Sequence, residues 1–193
     1  MSFGNTVNFE KNGILLAYFA ARISNITLRK LLKLVYLTDE KFTVERGFPL
    51  TWFNYFAWKK GPVAPEVYDV KNGSFATYVQ CHRNKNDKWE LSPVPGVLTK
   101  DKLDLYSQYE INMIDKIISV YGSMTADELT GLTHQEGTLW SKVVEENKLS
   151  FSESGSSDCE IQLNRLIEGD EEKEEIFEGA FEYMQFCNAT LSC

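Results

Sequence analysis

Two histidines and four cysteines bound the chemistry open to this chain. The histidines are His82 and His134, and Cys81 stands directly before His82. Cys159, Cys187 and Cys193 lie far apart, with no C-x-x-C pair. A side-chain nucleophile needs a base beside it. Cys81 and His82 fall in a stretch that reads as a strand, where neighbours point to opposite faces, so this pair does not meet. Zinc needs several Cys or His ligands at close spacing, which Cys81 and His82 do not supply. The glycines at 61, 73, 96, 122, 131 and 137 stand at breaks between elements and form no phosphate-cradling pattern. Asp39-Glu40 and Glu145-Glu146 are adjacent acids on helical stretches. Such neighbours do not face each other, so they read as solvated surface. The residues therefore predict no catalytic group, no metal and no cofactor.

One constellation stands apart, running Trp58-Lys59-Lys60-Gly61-Pro62-Val63-Ala64-Pro65-Glu66-Val67-Tyr68. Gly61 supplies φ freedom and Pro62 fixes the exit, which makes a rigid corner. Two prolines argue against a regular ladder here, and Pro65 suits the first position of a short helix. In one reading the corner is structural, with Trp58, Val63 and Tyr68 filling the core beneath it. In the other it presents Lys59, Lys60 and Glu66 to a partner, because a rigid loop loses little entropy on docking. His134 sits in Leu132-Thr133-His134-Gln135-Glu136-Gly137, where an imidazole can bond the last helix carbonyls and meet the dipole. It could also touch a partner. The candidate partner-binding set is Trp58, Lys59, Lys60, Gly61, Pro62, Val63, Pro65, Glu66, Tyr68 and His134.

The elements that must position these residues are legible from periodicity. Ile14, Leu15, Tyr18, Phe19 and Ile23 recur in steps of three and four, which predicts a helix over 10–23. Leu28, Leu31, Leu32, Val35, Tyr36 and Phe42 predict another over 27–46, capped by Thr27 and stopped by Gly47. Arg29, Lys30, Lys33, Asp39 and Glu40 are placed mostly on its other side. Phe53–Trp58 reads as a strand, 66–71 as a short helix, and Phe75–Cys81 with Lys88–Leu91 as a hairpin. Ser107-Gln-Tyr-Glu110, Thr125-Ala-Asp-Glu128 and Ser157-Asp-Cys-Glu160 each match the capping box that opens a helix. Trp140–Lys148 predicts a further short helix. Ser150–Ser157 reads as a linker, and 170–187 as an acidic helix with Ile176, Phe177, Ala180, Phe181 and Met184 on its apolar side. The predicted class is α+β and predominantly helical, a compact helical domain with a small antiparallel β-sheet.

Charge is uneven. Residues 151–193 hold 11 acidic and 2 basic side chains, against 17 and 18 in residues 1–150, so the body is near neutral and the tail carries the excess acid. Such a molecule lacks the footprint of a nucleic-acid binder. Asp127, Glu128 and Glu136 also argue against a helix-turn-helix reader, whose second helix is basic. No basic-then-apolar leader opens the chain and no apolar run reaches a membrane span of roughly 20 residues, so a cytoplasmic protein with free thiols is expected.

At these motifs the chain resembles the Panacea domain of SocA-like, phage-associated type II antitoxins. The resemblance rests on Leu31-Leu32-Lys33-Leu34-Val35-Tyr36, then Gly47-Phe48-Pro49-Leu50, then the Trp58-to-Tyr68 segment. It continues through Tyr121-Gly122, Thr125-Ala-Asp-Glu128-Leu129 and Leu132-Thr-His134 with Gly137 and Trp140. It covers about residues 10–145. One departure is Thr138-Leu139-Trp140, where the family tends to carry Pro-Trp sooner. The resemblance implies an antitoxin that sequesters a cognate protein toxin, often encoded beside it, by stoichiometric protein binding without an enzyme site. It divides the chain into a domain over 1–149 and an acidic helical extension over 150–193, packed on or tethered to it. The alternative is an adaptor that delivers a client protein to a protease or chaperone, with the acidic tail as second contact. Neither nucleic acid nor membrane is an expected partner, and the oligomeric state is open.

Overall fold

In the computed structural model, which describes residues 2–151, 153 and 155–191, one helix organises the rest. The chain opens with α1 (Phe3–Thr6) and α2 (Phe9–Arg22), then enters α3 (Leu28–Arg46). Thr27 caps α3 by accepting from the Lys30 backbone N–H, and Gly47 ends it at φ +84°. The apolar stripe of α3 is buried as expected, but so are Leu34, Lys33, Thr38, Asp39 and Thr43. A helix buried on nearly all sides must be surrounded by other elements. Here α2, α6 (Gln108–Tyr121), α7 (Ala126–Thr133) and both sheets pack around it.

The first sheet has the order β2–β1–β5, all antiparallel, from β1 (Tyr55–Trp58), β2 (Gly61–Val63) and β5 (Glu160–Ile161). Two sequence expectations are corrected by it. The Gly-Pro corner is a ladder after all, pairing Phe56 with Val63, Ala57 with Pro62 and Trp58 with Gly61. Proline is tolerated because β2 is an edge strand, where the missing N–H costs no ladder bond. The third capping box does not open a helix. Instead the chain runs extended along β1, with the Ala57 N–H donating to the Cys159 carbonyl at 2.9 Å. Ser157 spends its hydroxyl on the Ala57 carbonyl at 2.6 Å. The Lys59 N–H likewise donates to the Gly155 carbonyl at 2.7 Å, so part of the expected linker is hydrogen-bonded to the domain. An open edge of β1 would otherwise leave backbone groups unpaired.

The second sheet is the hairpin β3 (Val79–Arg83) and β4 (Trp89–Pro93). It starts later than expected because Phe75 adopts φ +57° in a turn and buries its ring against Phe9, 4.6 Å between centroids. The short helices α4 (Pro65–Tyr68) and α5 (Lys100–Leu103) lie between these parts, and Pro65 opens α4 as foreseen; α5 and α1 carry no periodic signal of their own. The capping boxes at Ser107 and Thr125 form in full. Helix α8 (Leu139–Glu146) follows α7. Helix α9 (Glu171–Leu191) lays its apolar side on the start of the chain, with Phe181 5.4 Å from Phe3 and Phe177 5.6 Å from Trp52. Met184 is buried there, whereas Tyr183 and Phe186 face outward. Cys81, Cys159 and Cys187 are free thiols, and Cys193 lies outside the described residues. Among the described residues no helix is long and apolar enough to cross a membrane.

Candidate functional site

The motif at residues 58–68 is a tight hairpin with Lys59 and Lys60 at its tip. Trp58 and Gly61 pair across it. The two lysines keep negative φ while Gly61 takes φ +100°. A left-handed residue closing such a turn restores the strand twist. Glycine is required at 61 twice over. A Cβ there would lie 2.7 Å from Lys33 Nζ and 2.9 Å from Thr133 Oγ1, besides the strain of a positive φ. Lys59 and Lys60 are exposed, and among the described residues neither has an ion-pair partner.

Around this tip the structure gathers some of the expected residues and turns others away. Trp58 and Tyr68 meet edge to face with centroids 4.9 Å apart, both half-buried. Pro62 and Val63 are buried, and Pro65 is half-buried, so these act as frame. Glu66 does not face outward beside the lysines. It accepts from the Ser2 hydroxyl, and its Oε2 is buried without a partner among the described residues. His134 is the C-cap of α7, but it is not a cation at a helix end. Its ring stacks on Trp140 at 3.6 Å and 2°, and its Nε2 is buried with no hydrogen-bond partner among the described residues. Burial first, and the nearby Lys33 second, push its pKa down to about 4, so it is neutral. Trp140 donates its indole N–H to the Trp58 carbonyl at 2.9 Å, which ties α8 to the hairpin.

Two polar residues of α3 escaped sequence reasoning. Lys33 is 1% exposed, and its ammonium donates to the Pro62 carbonyl at 2.8 Å. Burial, with Arg29 nearby, lowers its pKa to about 7. Asp39 is wholly buried and accepts from the Thr51 N–H at 2.9 Å, the Thr51 hydroxyl and the Tyr55 hydroxyl at 2.7 Å. Burial outweighs these bonds and raises its pKa to about 6. Beside it Glu40 accepts from the Tyr36 hydroxyl at 2.6 Å, and burial raises its pKa too. These carboxylates are therefore not solvated surface. A signal existed for Asp39, which stands three residues after Tyr36 and three before Phe42, in step with the apolar stripe.

Between the tip, the start of α3, the β3–β4 turn and the start of α7 lies an open groove of about 940 Å³. Lys33 is at its floor and Trp58, Tyr68 and Trp89 form its apolar part. A second pocket of about 520 Å³ lies under α9, lined by Phe3, Trp52, Phe177 and Phe181. No group of three or more His, Cys, Asp or Glu among the described residues could hold a metal ion. Cys81 and His82 follow each other on β3, with His82 exposed and the Cys81 thiol pushed up by burial.

The sequence that builds this frame matches a known family. The description "Antitoxin SocA-like, Panacea domain" matches residues 31–141, more than half of the chain, and the chain belongs to that family. It is similar to the protein named Antitoxin SocA of Caulobacter vibrioides (strain NA1000 / CB15N), 30% identical over 119 residues. That alignment covers 61% of this chain and 58% of the relative's own length. No solved structure matches the chain.

Proposed function

We propose that this chain is a cytoplasmic antitoxin that neutralises a cognate protein toxin, encoded next to it, by direct stoichiometric binding and without catalysis. The observation that carries this reading is the placement of the family's motif residues. Within the matched segment they build a rigid hairpin that projects two lysines, unpaired among the described residues, at the mouth of a groove. A preorganised tip of this kind loses little entropy when a partner docks. Residues 1–149 form the toxin-binding domain in this reading, and 150–193 the acidic extension that clasps it through β5 and α9. The adaptor alternative has no support from the relative, which is named an antitoxin.

The test is growth rescue. The neighbouring gene is expressed alone and with this chain, and the pair is purified. Growth arrest by the neighbour, relieved by this chain in a one-to-one complex, is the expected result. A toxic neighbour that this chain neither relieves nor binds would overturn the reading.

A further inference from the structure

We propose that the groove beside the Lys59–Lys60 tip receives an acidic, aromatic-bearing segment of the partner protein; this rests on the antitoxin reading and names the chemistry of its contact. The groove is positive on a negative molecule. Arg29, Lys30, Lys33, Lys59, Lys60 and Lys88 line it against three acids, while the chain as a whole carries −8. Two of the three acids are already engaged, Asp127 by Arg29 and Asp87 by Arg83 at 2.7 Å. Lys30 is spent on the Gly122 carbonyl at 2.5 Å. Lys59, Lys60 and Lys88 remain, exposed and without an ion pair among the described residues. Unpaired cations that rim one groove steer an oppositely charged segment into it.

Lys33 gives the same direction from below. Its ammonium is nearly all buried, yet its bond is to a neutral carbonyl and no carboxylate pairs with it among the described residues. A buried cation in that state gains from an anion brought within reach. The aromatic preference follows from Trp58, Tyr68 and Trp89, each half-buried on the groove wall. Lys71 already lies over the Tyr68 ring at 3.6 Å and Arg83 over the Trp89 ring at 4.5 Å, so Trp58, with no cation over its ring among the described residues, is the ring on which an inserted side chain would pack. A nucleic acid fits less well. Its backbone would meet Glu153 at the groove, on a chain whose net charge is −8.

The test uses the purified full chain and a display library of random dodecapeptides, with enriched peptides synthesised and their affinity measured by fluorescence anisotropy. Acidic sequences with an aromatic residue should emerge. Their affinity should fall at least about tenfold in Lys59→Glu/Lys60→Glu and separately in Lys88→Glu, and fall with added salt, as for rim charges. Both variants change exposed side chains, and melting curves matching the unmodified chain establish that they fold. Neutral or basic consensus peptides, or acidic ones indifferent to both variants, would overturn the proposal. So would an oligo-dT or oligo-rU probe whose binding the same variants abolish, since the groove would then be a nucleic-acid site. A concentration-dependent dimer dissolved by the variants would also overturn it, by assigning the groove to the acidic tail of a second copy. Growth rescue separates the two levels. If the unmodified chain fails to rescue, the antitoxin reading fails; if it rescues and Lys59→Glu/Lys60→Glu with Lys88→Glu rescues equally well, only the groove proposal does.

Discussion

Lys33 and Asp39 stand within two turns of each other on α3, each almost wholly buried, and the protein treats them in opposite ways. Asp39 receives three hydrogen bonds from Thr51 and Tyr55, and Tyr55 packs edge-on against Tyr36 at 5.1 Å. It lies inside the core and ties the segment before β1 to α3. Lys33 has one neutral acceptor, the Pro62 carbonyl, and opens on the groove. A fully satisfied buried charge fixes a structure, whereas a partly satisfied one at a cleft is poised for a ligand. The difference therefore separates the part of α3 that holds the fold from the part that serves the binding face.

The largest expected effect breaks the satisfied side. Asp39→Ala leaves the Thr51 N–H and both hydroxyls buried without an acceptor. Stability should drop by about 3 kcal/mol, the scale for orphaning donors around a charged acceptor. Urea unfolding followed by tryptophan fluorescence measures it, and a change below about 1 kcal/mol would show that water replaces the carboxylate. Next comes Gly61→Val, which combines a positive φ with a clash against Lys33 and Thr133. A loss of about 2 kcal/mol is expected by the same measurement. Unchanged stability would mean that Lys33 swings out freely.

The same two residues should bend the pH dependence of stability in opposite directions. Asp39 is raised in the fold from the usual carboxylate value to about 6. The native state then holds its proton longer than the unfolded chain, so this contribution is full below about pH 4 and is lost as pH rises to about 6. Lys33 is lowered to about 7. Its contribution is full above the ordinary lysine range and is lost as pH falls towards 7. Chemical unfolding at a series of pH values should show both slopes. Asp39→Asn should flatten the acid limb alone, and Lys33→Met the alkaline limb alone.

How far these features can be read in advance depends on the range of the interaction that makes them. The boxes at Ser107 and Thr125 form because side chain and backbone partners lie within four residues. The box at Ser157 has the same local chemistry but loses to the open edge of β1, about one hundred residues away in sequence, and Ile161 buries there. Pro62 argues against a ladder until one knows that its strand lies at the edge. The exposure of Lys59 and Lys60 follows from turn chemistry, which is local. Glu66 turns away from the lysines because Ser2 reaches it from elsewhere, and His134 stands at the helix end as its sequence position implies but is stacked on Trp140 rather than charged there. Lys33 stands in the family's motif, yet nothing in the periodicity marks it as buried. Its burial requires the hairpin and α7 to close over a face of α3 that its own sequence marks as polar.

Lys33→Met sharpens the comparison from the other side. Replacing a buried, weakly partnered cation by an apolar chain of similar length is often neutral or stabilising, so at pH 7 stability should change by less than about 1 kcal/mol. Acidic-peptide binding should nevertheless weaken, which separates a binding role from a structural one. The smallest effect follows from the neighbouring imidazole. Burial is the main reason that His134 stays neutral down to about pH 4, and the Lys33 charge adds to it. Removing that charge should therefore move the His134 titration upward by a modest amount, leaving the burial effect in place. With only His82 as a second imidazole, proton NMR of the ring resonances resolves both. Unmoved His134 with shifted His82 would show that the Lys33 ammonium does not sit beside the His134–Trp140 stack, and the floor of the groove would then have to be redrawn.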